Sequence, residues 1–96
     1  MFIVSLNYTC ELEEVDNHLD AHVAYLKQEY AKGNFIASGR KIPRTGGVIL
    51  SNAKTKNDLE AILENDPFFQ ADIAEYEITE FIPSMVAEGY EILKEQ

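Results

Sequence analysis

The spacing of apolar residues changes from every second position to every third or fourth near the beginning of the chain. The first pattern runs through Phe2, Val4, Leu6 and Tyr8. Alternation of this kind predicts a strand with one buried face. From about Glu13 the spacing becomes helical, with one stripe formed by Val15, Leu19, Val23 and Leu26. We therefore expect a strand and then a helix that ends near Lys32-Gly33, because glycine suits the left-handed residue after a helix.

The rest of the chain continues the change between strand and helix patterns. Short apolar runs at 35–38 and 47–50 predict two strands joined by a basic loop. Thr55 and Asp58 resemble a capping box at the start of a second helix, and Asp66-Pro67 predicts one short extra turn of helix. A last strand is expected over 75–82 and a C-terminal helix over about 84–95.

The resulting order, β-α-β-β-α-β, is that of the split βαβ or ferredoxin-like fold. This α+β fold has an antiparallel sheet with helices on one face. Its length of 96 residues predicts a single domain, 1–96. We expect apolar and aromatic side chains on the uncovered face of the sheet, and a second copy of the chain packed against them as a homodimer.

Positive charge is concentrated in one short window of an acidic chain. The formal net charge is −9, yet both arginines and one lysine fall within Arg40-Lys41-Ile42-Pro43-Arg44. The functional interpretation is a loop that holds a small anionic ligand beside Ser38-Gly39. The alternative is a solvated turn whose arginines offset nearby carboxylates. The overall acidity argues against nucleic acid and anionic membrane surfaces as partners, because both require extended basic faces.

The sequence also bears on the cellular compartment. The apolar N-terminus lacks a basic leader and reads as a strand and not as a signal peptide. We find no run near the roughly 20 apolar residues that span a bilayer. A single cysteine, Cys10, leaves no internal disulfide to form. These features predict a cytoplasmic protein.

His22 is the first residue whose position has a possible chemical meaning. It lies in the apolar stripe of the first helix, three residues after Leu19 and four before Leu26, so its imidazole faces the sheet. One interpretation is a core histidine held neutral by a hydrogen bond. The other is a general base.

Asp66 offers a similar choice between structure and function. An aspartate before proline is an ordinary helix cap, but a carboxylate can also orient a histidine and fix its tautomer. Both roles are compatible because a carboxylate has two oxygens. A metal site on the i, i+4 pair His18 and His22 is less favoured, because it needs a third ligand and Asp16 and Asp20 diverge from the histidine face.

Several short motifs follow one another along the chain in a specific order. They are His22, Gly33, Ser38-Gly39, Pro43-Arg44-Thr45-Gly46-Gly47, Asp66-Pro67-Phe68 and Glu75-Tyr76-Glu77-Ile78. In this order and spacing the chain resembles the YciI-like (YCII-related domain) family from Phe2 to Pro83. The family commonly reads Ser-Gly-Pro where this chain has Ser38-Gly39-Arg40.

The resemblance implies a dimeric ferredoxin-like fold, related to muconolactone isomerase and other dimeric α/β-barrel proteins. It also implies an active site built on a His-Asp dyad, which falls on His22 and Asp66. The family includes a dehydrochlorinase of chlorinated hydroxyhydroquinone breakdown, whereas most members have no assigned reaction. The resemblance therefore speaks to fold and site more than to substrate.

We expect a small enzyme that moves protons on a compact anionic or phenolic metabolite by lyase or isomerase chemistry. It would need no metal and no organic cofactor. His22 is the expected general base and Asp66 its orienting partner. The alternative is a non-catalytic dimer that binds a small ligand or serves as an accessory subunit.

The remaining expected site residues would bind the substrate. Arg44, with help from Arg40 and the amides of Ser38-Gly39, is expected to hold developing negative charge. Phe68 is a candidate apolar wall. The distance between His22 and Asp66, and their access to an open pocket, distinguish a site from a sealed core.

Overall fold

Strand β1, Phe2–Tyr8, lies inside a four-stranded antiparallel sheet in the computed structural model, which describes residues 1–95. β1 pairs with β3, Gly46–Ser51, on one side and with β4, Ala74–Glu80, on the other. β2, Phe35–Arg40, pairs with β3, which gives the order β2-β3-β1-β4. The predicted α+β ferredoxin-like fold is confirmed. Gln96, the last residue of the predicted domain, lies outside the described residues.

Helices occupy both connections that cross the sheet. α1, Leu12–Asn17, and α2, Leu19–Ala31, connect β1 to β2. The predicted single helix is therefore two, because His18 leaves the helical backbone region with φ −109° and ψ 2°. α3, Lys56–Leu63, and α4, Pro67–Gln70, connect β3 to β4. No helix within residues 1–95 has the length and apolar character needed to cross a membrane.

The core lies between the helices and one face of the sheet. β1 contributes Phe2, Val4 and Leu6, each at most 2% exposed. The predicted apolar stripe is buried only in part: Val15 on α1 is buried, Leu19 and Leu26 are half-buried, and Val23 is 39% exposed. The residues that α2 buries are His22, Tyr25 and Glu29. Burial of these polar side chains is possible because each has a partner. Asn34 Nδ2 donates to Glu29 at 2.9 Å, and the Tyr25 hydroxyl donates to the Ile62 carbonyl at 2.8 Å.

The face of the sheet away from the helices has mixed polarity. The strand register places Tyr76 and Ile78 on the helix-covered face, opposite Leu6 and Val4. The expectation of aromatic residues on the uncovered face is therefore wrong. Positions on that face in β3, β1 and β4 include Ile3, Ser5, Leu50, Glu77 and Thr79.

The segment after β4 differs from the prediction. Where we expected an α-helix over about 84–95, the structure forms a 3-10 helix at Glu91–Glu95, so that prediction is wrong. Gly89 adopts a positive φ of 93°, which an α-helix does not accommodate. Ile82 and Met85 are 87% and 89% exposed, so the segment gains little from burial. A short helix without such packing is marginal in water.

Candidate active site

His22 and Asp66 meet between α2 and the start of α4. His22 Nδ1 lies 2.8 Å from Asp66 Oδ1, although 44 positions separate the two residues. Asp66 is fully buried, and His22 is 9% exposed. The pair forms because α2 turns His22 toward the sheet, while Asp66 caps α4 on the same side of the sheet.

Asp66 accepts hydrogen bonds from three different elements. Besides the contact with His22, its Oδ1 accepts the Phe68 amide N–H at 3.0 Å, as a helix cap does. Its Oδ2 accepts the hydroxyl of Tyr76, on β4, at 2.6 Å. Two donors already face the carboxylate, so it acts as an acceptor toward His22 as well. His22 Nδ1 therefore carries a proton, and Nε2 is the nitrogen with the lone pair when the ring is neutral.

Tyr76 is a member of the site that the sequence analysis did not single out. Burial raises the pKa of its phenol, and the charge and hydrogen bond of Asp66 raise it further. Tyr76 therefore remains protonated and able to donate. The sequence signal that could have indicated Tyr76 was its position on the side of β4 that faces the core, since a tyrosine in a core usually needs a partner for its hydroxyl.

Phe68 fixes the plane of the His22 ring. The two rings are stacked, with centroids 3.9 Å apart and planes 3° from parallel. Tyr8 packs edge-on against Phe68 at 5.9 Å. One face of the imidazole is thus covered, and a ligand must approach its edge or its other face.

The dyad lies at the wall of a cleft of about 370 Å³ between α2 and the sheet. This volume is near the lower end of the range for small-molecule sites, roughly 300 to 1,000 Å³. Leu19, Val23 and Leu26 of α2 line one side. The predicted site residues that line the cleft are His22, Ser38, Gly39, Arg40, Arg44 and Phe68. Asp66 lies behind His22 and not in the lining.

The basic loop contributes two arginines in different states. Arg44 donates from a guanidinium nitrogen to Asp16 Oδ1 at 2.6 Å, and this hydrogen bond raises the pKa of Arg44. Within residues 1–95 Arg40 has neither an ion pair nor a side-chain hydrogen bond. Lys41 donates to Asn7 at 2.8 Å, and Ser38 bonds to the hydroxyl of Tyr30.

The two histidines of the chain have separate partners. His18 Nε2 contacts Glu14 Oε1 at 3.2 Å, whereas His22 contacts Asp66. In the part of the chain that the structure describes, no group of three or more His, Cys, Asp or Glu side chains is placed to hold a metal ion.

A family model of the YCII-related domain matches residues 1–82. The chain belongs to the YCII-related domain family. The match extends from β1 past the end of β4, and so includes His22, Asp66 and every residue that we describe around the cleft.

This YCII-related domain is also similar in fold to a solved structure. That structure is 5-chloro-2-hydroxyhydroquinone dehydrochlorinase from Burkholderia phenoliruptrix AC1100, in complex with 2,5-dihydroxybenzoquinone. The TM-score is 0.71 at 19% sequence identity, and the similarity covers 84% of this chain and 93% of the other. At this identity the similarity establishes the shared fold. A search of curated proteins gives no significant match.

Proposed function

We propose that this YCII-related domain is a small, cofactor-free enzyme that moves protons on a small anionic or phenolic metabolite. The observation that carries the proposal is the 2.8 Å contact between His22 and Asp66 at the wall of an open cleft. A histidine oriented by a buried carboxylate, whose second nitrogen has the lone pair in the neutral ring, is equipped as a general base.

In the proposed reaction, Nε2 of His22 takes a proton from a C–H group of the substrate. The imidazolium that forms is stabilised by the carboxylate of Asp66 through Nδ1–H. The electron pair left on the substrate then either moves to a new position, where it takes up a proton, or expels a leaving group. The first outcome is an isomerisation and the second a lyase reaction.

The other residues of the cleft have roles in binding. Arg44 and Arg40 supply positive charge to an electron pair that develops on the substrate, and Ser38 and Gly39 line the same cleft. Phe68 holds the imidazole in its plane. The similar protein from Burkholderia phenoliruptrix is named as a dehydrochlorinase, an enzyme of small-molecule chemistry, which supports an enzyme of this class.

Exchange of substrate protons with solvent tests the proposal without knowledge of the full reaction. Small phenols and organic acids are incubated with the protein in D2O, and deuterium incorporation at their C–H positions, which exchange slowly in D2O alone, is followed by proton NMR. We expect at least one compound to exchange in the presence of the protein. His22→Asn should slow exchange by roughly 10² to 10⁴, the usual contribution of a positioned base. Asp66→Asn should slow it by a smaller factor.

His18→Asn is the matched control, because it removes the other histidine, which does not line the cleft. It should leave exchange unchanged. If compounds bind in the cleft but none exchanges, the alternative of a small-ligand-binding or accessory protein is correct. Equal losses in the His18 and His22 variants would contradict the assignment of the base.

A further inference from the structure

We infer that the ligand of this cleft is a small organic acid whose carboxylate binds Arg40, at a point separate from the proton that His22 takes. This inference rests on the proposed function and narrows its substrate class. The proposed function requires only a proton within reach of His22, whereas the inference adds a second, permanently charged group on the same molecule.

Positive charge is concentrated at the cleft. The chain has a net charge of −9 and two arginines, and both of them line the same cleft. Within residues 1–95 no aspartate or glutamate lines this cleft. A positive pocket on an acidic protein selects anions locally against the repulsive field of the whole molecule.

The two arginines of the cleft differ in their partners. Arg44 already contacts Asp16 at 2.6 Å, so much of its positive charge is neutralised within the protein. Arg40 has no such partner among the described residues. A guanidinium presents paired N–H donors that match the two oxygens of a carboxylate. Arg40 is therefore the residue at which an anionic group of a ligand gains most.

Arg40 lies on the same side of the sheet as His22. In the β2–β3 register Arg40 is opposite Gly47, and Gly47 is in turn opposite Leu6, whose side chain is in the core. Arg40 is thus on the helix-covered side of the sheet, the side that holds His22. Gly47 has no side chain to occupy the space beside the guanidinium.

The cleft walls define the rest of the ligand. Leu19, Val23 and Leu26 form an apolar side, and Phe68 covers one face of His22. A compact apolar body with one planar anionic group fits these surfaces. Inorganic phosphate or a sugar phosphate fits them less well, because sites for phosphate draw on several backbone N–H groups at a helix N-terminus or a glycine-rich loop.

Matched pairs of compounds that differ by one carboxylate provide the test. The probes are hydroquinone with 2,5-dihydroxybenzoate, and cyclohexanol with cyclohexanecarboxylate. Dissociation constants are measured by NMR titration at pH 7.5, with the ring signals of His22 as the reporter of binding in the cleft. We expect at least one acid to bind about tenfold or more tightly than its neutral counterpart, as for a charge-assisted hydrogen bond.

Variants then assign this preference to Arg40. Arg40→Gln should remove the preference for the acid and leave the dissociation constant of the neutral compound unchanged. Arg40→Lys should retain part of the preference for the acid. Lys54→Gln makes the same change in net charge at an exposed residue outside the cleft lining, and should have no effect. An equal effect of Lys54→Gln would assign the preference to the net charge and overturn the inference.

The outcomes separate this inference from the proposed function. If neutral and acidic probes both shift the His22 signals and bind with equal affinity, the role assigned to Arg40 is wrong, but the proposed role of the His22 and Asp66 pair is unaffected. If Arg40→Gln weakens both members of a pair equally, the carboxylate assignment is also wrong. If no probe of either kind shifts the His22 signals, the inference and the proposed binding site are both contradicted.

Discussion

Tyr76 acts on His22 through another residue. Its hydroxyl occupies Oδ2 of Asp66, and Oδ1 is shared by His22 and the Phe68 amide. The carboxylate cannot rotate without loss of at least one of these hydrogen bonds. Tyr76 is therefore a positioning residue, since it fixes the orientation of the group that fixes the imidazole.

Tyr76→Phe should allow both neutral tautomers of His22 to be populated. The change leaves Oδ2 buried without its donor, which weakens the hold of Asp66 on the Nδ1 proton. We expect nitrogen-15 NMR of the neutral ring to show one tautomer in the wild type and a mixture in this variant. Deuterium exchange should slow by about tenfold, equivalent to a net hydrogen-bond loss of roughly 1.4 kcal/mol.

Tyr25→Phe is the matched control for that experiment. Tyr25 is also a buried tyrosine, but its hydroxyl donates to the Ile62 carbonyl and not to Asp66. The Tyr25→Phe substitution should lower the free energy of unfolding and leave the tautomer of His22 unchanged. A Tyr76→Phe variant with lowered stability and an unchanged tautomer would show that Tyr76 has a structural role only.

The free energy of unfolding of the Tyr76→Phe variant should depend on pH differently from that of the wild type. Tyr76 and Tyr25 have raised pKa values in the folded protein, whereas an unfolded tyrosine titrates near pH 10. Above about pH 10 the unfolded chain therefore binds fewer protons, and the free energy of unfolding falls as pH rises. Each tyrosine contributes about 1.4 kcal/mol per pH unit to the fall in the free energy of unfolding. In Tyr76→Phe, the free energy of unfolding measured in urea should therefore fall less steeply with pH, by the contribution of one tyrosine.

Residues with a local signature could be predicted as parts of the site, and the others could not. Asp66 precedes a proline, and His22 falls on an identifiable helix face, so both stood out in the sequence. Tyr76 is important because of where β4 pairs with β1, and that register is a long-range property. The Arg44 contact with Asp16 likewise depends on how a loop and α1 approach each other.

At the scale of elements, the spacing of apolar residues was sufficient to predict the strands and the helices that connect them across the sheet. Thr55 caps α3 as predicted, with its hydroxyl 3.1 Å from the Asp58 amide nitrogen. The break at His18 was missed because the apolar spacing continues across it. The C-terminal helix was wrong because Gly89 adopts a positive φ and nearby apolar residues such as Ile82 and Met85 stay exposed, and the spacing of apolar residues reports neither.

The start of β3 depends on a glycine. A Cβ at Gly46 would lie 1.7 Å from the carbonyl oxygen of Leu6 and 2.7 Å from its carbon, so β1 and β3 would have to separate there. We expect Gly46→Ala to lower the free energy of unfolding by about 3 kcal/mol or more, at or above the usual range for overpacking.

Gly39→Ala, on the neighbouring strand, is the control for Gly46→Ala. A Cβ at Gly39 meets nothing within 4 Å, so its cost should stay within about 1 kcal/mol. Urea unfolding measures both variants. Similar costs at the two positions would mean that the close approach of β1 and β3 relaxes easily.

At the scale of the whole molecule, one side of the sheet has no layer over it within the described chain. That side is less apolar than expected, but it includes Ile3 and Leu50 at the centre of the sheet. Large apolar residues are also exposed after β4, among them Ile82 and Met85. We retain the proposal of a homodimer that covers both surfaces, since small domains gain from burial between subunits.

Sedimentation at micromolar concentration tests the dimer. We expect twice the mass of one chain for the wild type, and a monomer for Leu50→Lys, because a buried ammonium at the interface would have no partner. Gln28→Lys places the same charge on an exposed position of α2 and should remain dimeric. A monomeric wild type would contradict the proposal.

The three hydrogen bonds of Asp66 affect how evolutionary drift would act on this fold. A lineage that abandoned the proposed reaction would still be selected to keep this aspartate, because the short helix after it and the half-buried Tyr76 both depend on it. Position 22 has one hydrogen bond and one ring stack, so its imidazole would be replaced more readily once turnover ceased to matter. Among homologues, retention of the histidine should therefore report a working enzyme, whereas retention of the aspartate should report only a folded one.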